Sequence, residues 1–122
     1  MTSLATVALM PEMALAAAEH DAPLSFASFE EFYPFYLSQH QDKTCRRLHF
    51  VGSSLGLLGL GAAVATGKKR YIAAGIVAGY GCAWVGHFFF EHNKPATFKY
   101  PLYSFMGDWV MYKDMLTGAI PL

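Results

Sequence analysis

Two stretches of 20 residues without a permanent charge, positions 48–67 and 71–90, constrain this chain more than any other feature. Only His49 and His87 could add a charge inside them near neutral pH. A helix needs about 20 apolar residues to cross a hydrocarbon layer ~30 Å thick. The basic cluster Gly67-Lys68-Lys69-Arg70 separates the two stretches and reads as a tight polar turn. The pattern predicts an all-α fold: an integral membrane helical hairpin of two spans. The competing reading is a hairpin buried in a soluble bundle, whose helices are usually shorter and interrupted by charges.

Glycine fits the membrane reading. Each run holds a small-xxx-small pair, Gly52/Gly56 in the first and Gly75/Gly79 in the second. In water a helical glycine costs about 1 kcal/mol relative to alanine. Between helices in lipid it lets the backbones approach closely.

Composition narrows the remaining classes. Nine Lys+Arg balance nine Asp+Glu, so the basic footprint of a nucleic-acid binder is missing. With 10 Phe, 7 Tyr and 2 Trp among few charges, the chain is not expected to be disordered. Two cysteines, Cys45 and Cys82, make no disulfide framework.

Residues 1–27 read as a variable N-terminal arm, and 28–118 as a single helical membrane domain. No basic residue precedes Lys43, so a secretory signal is not expected in the arm. Ser28-Phe29-Glu30-Glu31 fits a capping box, although Pro34 allows a start there instead. This helix is expected to end near His40, with Asp42 or Thr44 capping the next. Lys94-Pro95 is expected to end the second span, because the residue before proline avoids the helical region. Pro101 then opens a last helix over 102–116. The hairpin is thus flanked by an N-terminal and a C-terminal amphipathic helix.

The histidines carry the chemistry. His49 lies 19 residues before Lys68 and His87 lies 19 after it. At ~1.5 Å per residue both sit about 28 Å from the turn, so an antiparallel hairpin brings them to one level. His40 belongs to the same end, nine residues before His49 across a corner. Glu91, four residues after His87, shares its helix face. Neutral imidazoles with a carboxylate and open positions suit non-haem Fe(II) oxygen chemistry. The competing reading makes each histidine an interfacial side chain with a hydrogen-bonded tip. His92 points to a different face from His87, and His20 lies in the arm.

Asp108 sits inside an apolar, aromatic helix, where an unpaired buried carboxylate is expensive. It reads equally as a surface acid beside Lys113, a metal ligand, or an acceptor for a ligand histidine's second N–H. Asp114 looks solvated. Arg47 could snorkel to lipid headgroups or pair with a substrate carboxylate. Six basic residues at the histidine end against three at the turn favour a cytoplasmic histidine end. Short two-span hairpins often associate, which leaves room for a homo-oligomer.

Two blocks of residues carry a resemblance. The first is Phe32-Tyr33-Pro-Phe-Tyr36-Leu37-Ser-Gln-His40 followed by Arg47-Leu48-His49-Phe-Val-Gly52. The second is Gly86-His87-Phe-Phe-Phe-Glu91-His-Asn93-Lys94-Pro95-Ala96-Thr97-Phe98, followed by Pro101, Ser104 and Asp108. Over about residues 29–112 the chain resembles the small membrane family of the fungal 2-hydroxy fatty acid dioxygenase, which acts in the breakdown of phytosphingosine to odd-numbered fatty acids. The resemblance implies an Fe(II)-dependent dioxygenase in a bacterial inner or ER-type membrane. It would take a long-chain 2-hydroxy fatty acid and O2 and release a fatty acid one carbon shorter. The family's functional histidines fall on His40, His49 and His87. A mechanism expected on that basis has Glu91 or Asp108 assisting these histidines at the iron and Arg47 as the residue to meet the substrate carboxylate. The chain departs from the fungal members in its short hairpin, where they carry a longer middle region. Two other classes remain: a haem-binding membrane protein with His49 and His87 as axial ligands, and a non-enzymatic membrane hairpin.

Overall fold

The computed structural model describes residues 26–122. Four α-helices carry the fold, with no strand among the described residues. They are α1 (Phe29–Ser38), α2 (Lys43–Thr66), α3 (Arg70–Val85) and α4 (Pro101–Leu116). A π-helical turn, Gly86–Glu91, continues α3, and a 3-10 turn, Ala96–Phe98, precedes α4. The expectations for the arm and for His20 lie outside the described residues.

The chain divides into two compact units. One, Asp42–Pro95 with Leu122, is the hairpin. Its α2 is 24 residues long, and α3 with the π turn makes a second helix of 22. Both are long and apolar enough to cross a membrane. Their outer faces are apolar and open: Leu58 is 68% exposed, Val64 79% and Val77 72%. A soluble bundle would bury such side chains, since each contributes about 1.5–3 kcal/mol when removed from water.

Glycine sets the helix separation. A Cβ on Gly52 would stand 2.7 Å from the Gly79 carbonyl oxygen, and one on Gly75 would stand 3.2 Å from the Gly56 Cα. The two small-residue pairs therefore face each other as Gly52·Gly79 and Gly56·Gly75. Gly59 joins them, its missing Cβ standing 2.9 Å from the Gly75 Cα. Near the open end, a Cβ on Gly86 would meet the Cys45 Sγ at 3.1 Å and Cα at 3.2 Å. At the closed end Gly67 ends α2 in the left-handed region (φ 73°), and its N–H donates to the Ala63 carbonyl at 2.8 Å.

Asp42 caps α2, its carboxylate accepting from the Cys45 N–H at 2.9 Å. The second span ends earlier than Lys94-Pro95. His92 adopts a left-handed conformation (φ 59°, ψ 41°) that turns the chain out of the π turn three residues before the proline. Both cysteines are free.

The other unit joins Ala96–Pro121 to the described part of Met1–Gln41. The helix α1 begins at Phe29, not at Pro34. Ser28 Oγ accepts from the Glu31 N–H at 3.2 Å, while the Glu31 carboxylate accepts from the Ala27 N–H at 2.7 Å. The return bond of the capping box is thus shifted by one residue. Every residue from Phe32 to Ser38 is buried, more than an amphipathic stripe requires. An aromatic cluster joins α1 to the start of α4: Phe32 packs 5.6 Å from Tyr100 and 5.4 Å from Tyr103, centroid to centroid. Two tyrosine–aspartate pairs clamp the same two helices. Tyr33 Oη donates to Asp114 Oδ2 at 2.8 Å, and Tyr36 Oη donates to Asp108 Oδ1. Asp114 is therefore buried rather than solvated, with Lys113 Nζ 3.5 Å from its other oxygen. Burial and the adjacent carboxylate push the Tyr33 phenol above its ordinary range.

Candidate metal centre

Each of the three grouped histidines is buried, and each is oriented by a local bond that its own element supplies. His40 follows the last turn of α1. Its backbone N–H donates to the Leu37 carbonyl at 3.1 Å, and the Gln39 N–H donates to the Tyr36 carbonyl at 3.1 Å. The His40 ring meets the same carbonyl as a second donor, with Nδ1 2.6 Å from the Tyr36 oxygen. The imidazole also stacks on the Tyr36 ring, with centroids 4.0 Å apart and planes 24° from parallel.

His49 lies nearly two turns into α2, where Nδ1 donates to the Cys45 carbonyl at 2.9 Å. His87 lies in the π turn, and its Nδ1 meets Asn93 Oδ1 at 2.6 Å. The wide turn and the left-handed His92 fold the chain back, so that the Asn93 N–H donates to the His87 carbonyl at 3.0 Å. Asn93 is thereby set against the ring it bonds. π-Helical turns are rare and recur at functional sites.

The glycine-tight hairpin brings His49 and His87 together. Their ring centroids are 4.8 Å apart and their planes nearly perpendicular, at 87°. Equal displacement from Lys68 on two antiparallel helices leads to this meeting. The haem expectation fares worse on the same geometry. Axial imidazoles sit on opposite faces of a porphyrin, each bonded to iron at about 2 Å, and no porphyrin plane fits between rings this close.

All three Nδ1 atoms face an oxygen acceptor, which sets the Nδ1–H tautomer and puts each lone pair on Nε2. This is the outer arrangement that metal-ligating histidines adopt. His40, His49 and His87 form a group that could hold a metal ion. Three neutral nitrogen donors suit a divalent transition metal and leave positions open for reactants.

The other expected site residues make contacts of their own. Glu91 Oε2 accepts the Asp42 N–H at 2.5 Å, which places its charge at the start of α2. There it satisfies an orphan amide and complements the helix dipole. It is not in the metal-holding group. Asp108 bonds Tyr36 instead of a histidine, and burial pushes its carboxyl up to about 6 against the opposing hydrogen bond. Arg47 is exposed, with Nη2 3.4 Å from the Leu122 carbonyl. His92 is exposed as well.

Tyr36 and Asn93 are the two functional candidates to which spacing assigned no role. Tyr36 stands four residues before His40, a spacing at which rings meet on a helix. For Asn93 the signal would have been a polar amide just beyond a histidine-bearing span.

The family model described as 2-hydroxy-palmitic acid dioxygenase Mpo1-like matches residues 26–120. No curated protein and no solved structure matches the chain.

Proposed function

Because the chain belongs to the Mpo1-like family, we propose that it is an Fe(II)-dependent dioxygenase embedded in a membrane and acting on long-chain 2-hydroxy fatty acids. The proposed reaction removes one carbon. Atoms and electrons balance when the shortened acid forms with carbon dioxide and water, because the substrate then supplies all four electrons that O2 takes.

The observation that carries the reading is the shared tautomer: three buried histidines, each with Nδ1 on an oxygen. His40, His49 and His87 are the ligands in this reading. When bound, the iron supplies Lewis acidity and redox chemistry toward the 2-hydroxy acid and O2. Asn93 and the carbonyls of Tyr36 and Cys45 hold the three imidazoles in their ligating tautomer. Arg47, exposed near the start of α2, pairs with the substrate carboxylate. Glu91 holds the N-terminus of α2, so its role is to keep His49 in place. The acyl tail lies along the apolar faces of the two spans, where only apolar contact is needed. The exposure of Leu58, Val64 and Val77 supports a lipid surrounding.

The test is metal analysis of anaerobically purified protein, followed by O2 uptake with 2-hydroxypalmitate. About one iron per chain, lost in His49→Ala and His87→Ala together with uptake, is the expected result. Protein without stoichiometric iron and without substrate-dependent uptake overturns the reading.

A further inference from the structure

The geometry points to Tyr36, held by Asp108 and Gly107, as the positioning residue for His40. This rests on the reading of His40 as a metal ligand and adds a second tier to it.

Tyr36 governs the imidazole in two independent ways. Its carbonyl takes the Nδ1 proton at 2.6 Å, which sets the tautomer. Its ring lies against the imidazole at 4.0 Å, which sets the plane. The second constraint matters because the outer torsion of histidine is broad and confines the ring poorly on its own. His40 also stands past the end of α1, where no helical backbone restrains it.

The Tyr36 ring is itself held by α4 at its tip and along one edge. At one end its hydroxyl donates to Asp108. Along its edge it lies on Gly107, where a Cβ would stand 2.8 Å from Cδ2, 2.9 Å from Cε2 and 3.0 Å from Cγ. Glycine is therefore the residue that leaves the ring this place. An ionised Asp108 also makes the phenol ring more electron-rich. That favours its contact with an imidazole carrying positive charge from a bound metal. Asp108 thus acts on His40 through Tyr36, one residue further out than a direct partner of a ligand histidine.

The same two helices contain a built-in control. Tyr33 and Asp114 make a second buried tyrosine–aspartate pair, at 2.8 Å, whose acid also has Lys113 Nζ at 3.5 Å. A purely structural role for tyrosine–aspartate pairs would make the two interchangeable.

The experiment measures Fe(II) affinity by chelator competition in the full-length, detergent-purified protein. Co(II) absorption reports the ligand geometry, and melting temperature reports the fold. Outer partners of ligand histidines typically change affinity by about 10–100-fold. Tyr36→Phe and Asp108→Leu are expected to weaken Fe(II) binding by about tenfold or more and to alter the Co(II) spectrum. Asp108→Asn, which keeps an acceptor oxygen, is expected to recover most of the affinity. Tyr33→Phe is expected to lower the melting temperature and leave affinity and spectrum unchanged. Equal affinity and spectrum in wild type, Tyr36→Phe and Asp108→Leu would overturn the inference and leave the ligand reading standing. So would a loss in Tyr33→Phe equal to that in Tyr36→Phe. Wild-type protein that binds no metal overturns the ligand reading itself, and this inference with it.

Discussion

Replacing Gly52 by alanine tests how the hairpin's packing reaches its chemistry. The added Cβ would stand 2.7 Å from the Gly79 carbonyl oxygen, 3.1 Å from the Gly79 Cα and 3.1 Å from the Cys82 Cβ. Two of these three atoms are backbone, so no side chain can swing aside. Ordinary contact begins near 3.4 Å, and restoring it pushes the helices apart by roughly 0.7 Å at this level. Gly52 lies three residues from His49, so His49 and His87 separate by a comparable amount. Metal–nitrogen bonds tolerate only about ±0.2 Å. A misplacement of about 1 Å can lower a rate by about 100-fold. Gly52→Ala is therefore expected to lose Fe(II) affinity and O2 uptake by one to two orders of magnitude. Gly61→Ala is the matched control, because a Cβ there meets nothing within 4 Å. It should keep both activities and gain up to about 1 kcal/mol of helix stability. The assay is chelator competition with O2 uptake in detergent, alongside melting temperature. Wild-type Fe(II) affinity in a folded Gly52→Ala protein would refute the coupling between helix separation and ligand geometry.

Three further predictions follow from single contacts. Asn93→Ala removes the acceptor for His87 Nδ1 and should weaken Fe(II) binding by about 10–100-fold. Asn93→Asp, which keeps an acceptor oxygen, should bind more tightly than Asn93→Ala, and the reverse order would show that tautomer control is not its role. Glu91→Ala frees the Asp42 amide and should lower the melting temperature while iron stoichiometry stays near one. Loss of iron with the fold intact would make Glu91 a ligand after all. Asp108 holds its proton more tightly in the folded protein, at about 6 against an ordinary 3.8. The folded state thus carries the extra proton between those values. Wild-type stability relative to Asp108→Asn should fall by about 2–3 kcal/mol as pH rises through that window. Chemical denaturation of both proteins at several pH values checks this, and a constant difference would show that Asp108 titrates normally.

Local rules made much of the fold legible. The charge-free runs, the Gly67 turn, the Asp42 cap and Pro101 at the start of α4 all depend on residues close in sequence. The meeting of His49 and His87 was legible too, because equal counts from a turn become equal heights on two helices. One boundary was left open and two features escaped. Pro34 suggested a later start for α1, yet proline is tolerated where its missing N–H and its ring are accommodated, and the Ser28 cap decided the boundary. The second span was expected to end at Lys94-Pro95. The π turn and left-handed His92 end it sooner. Asp114 was read as solvated because it lies near the chain end, but Tyr33, 81 residues away, holds it inside.

The acids mark the boundary between the two kinds of information. Glu91 was legible as the acid on the His87 helix face, and Asp108 as a carboxylate out of place in an apolar helix. Which proton each accepts depends on what another element presents: the Asp42 amide for Glu91 and the Tyr36 hydroxyl for Asp108. Helical rise and hydrophobic length are properties of a segment, so the sequence alone determined a two-helix hairpin with histidines at one end. Hydrogen bonds are short and directional, and their partners are chosen by packing. Only the tertiary structure could decide that Glu91 meets the Asp42 amide and Asp108 the Tyr36 hydroxyl.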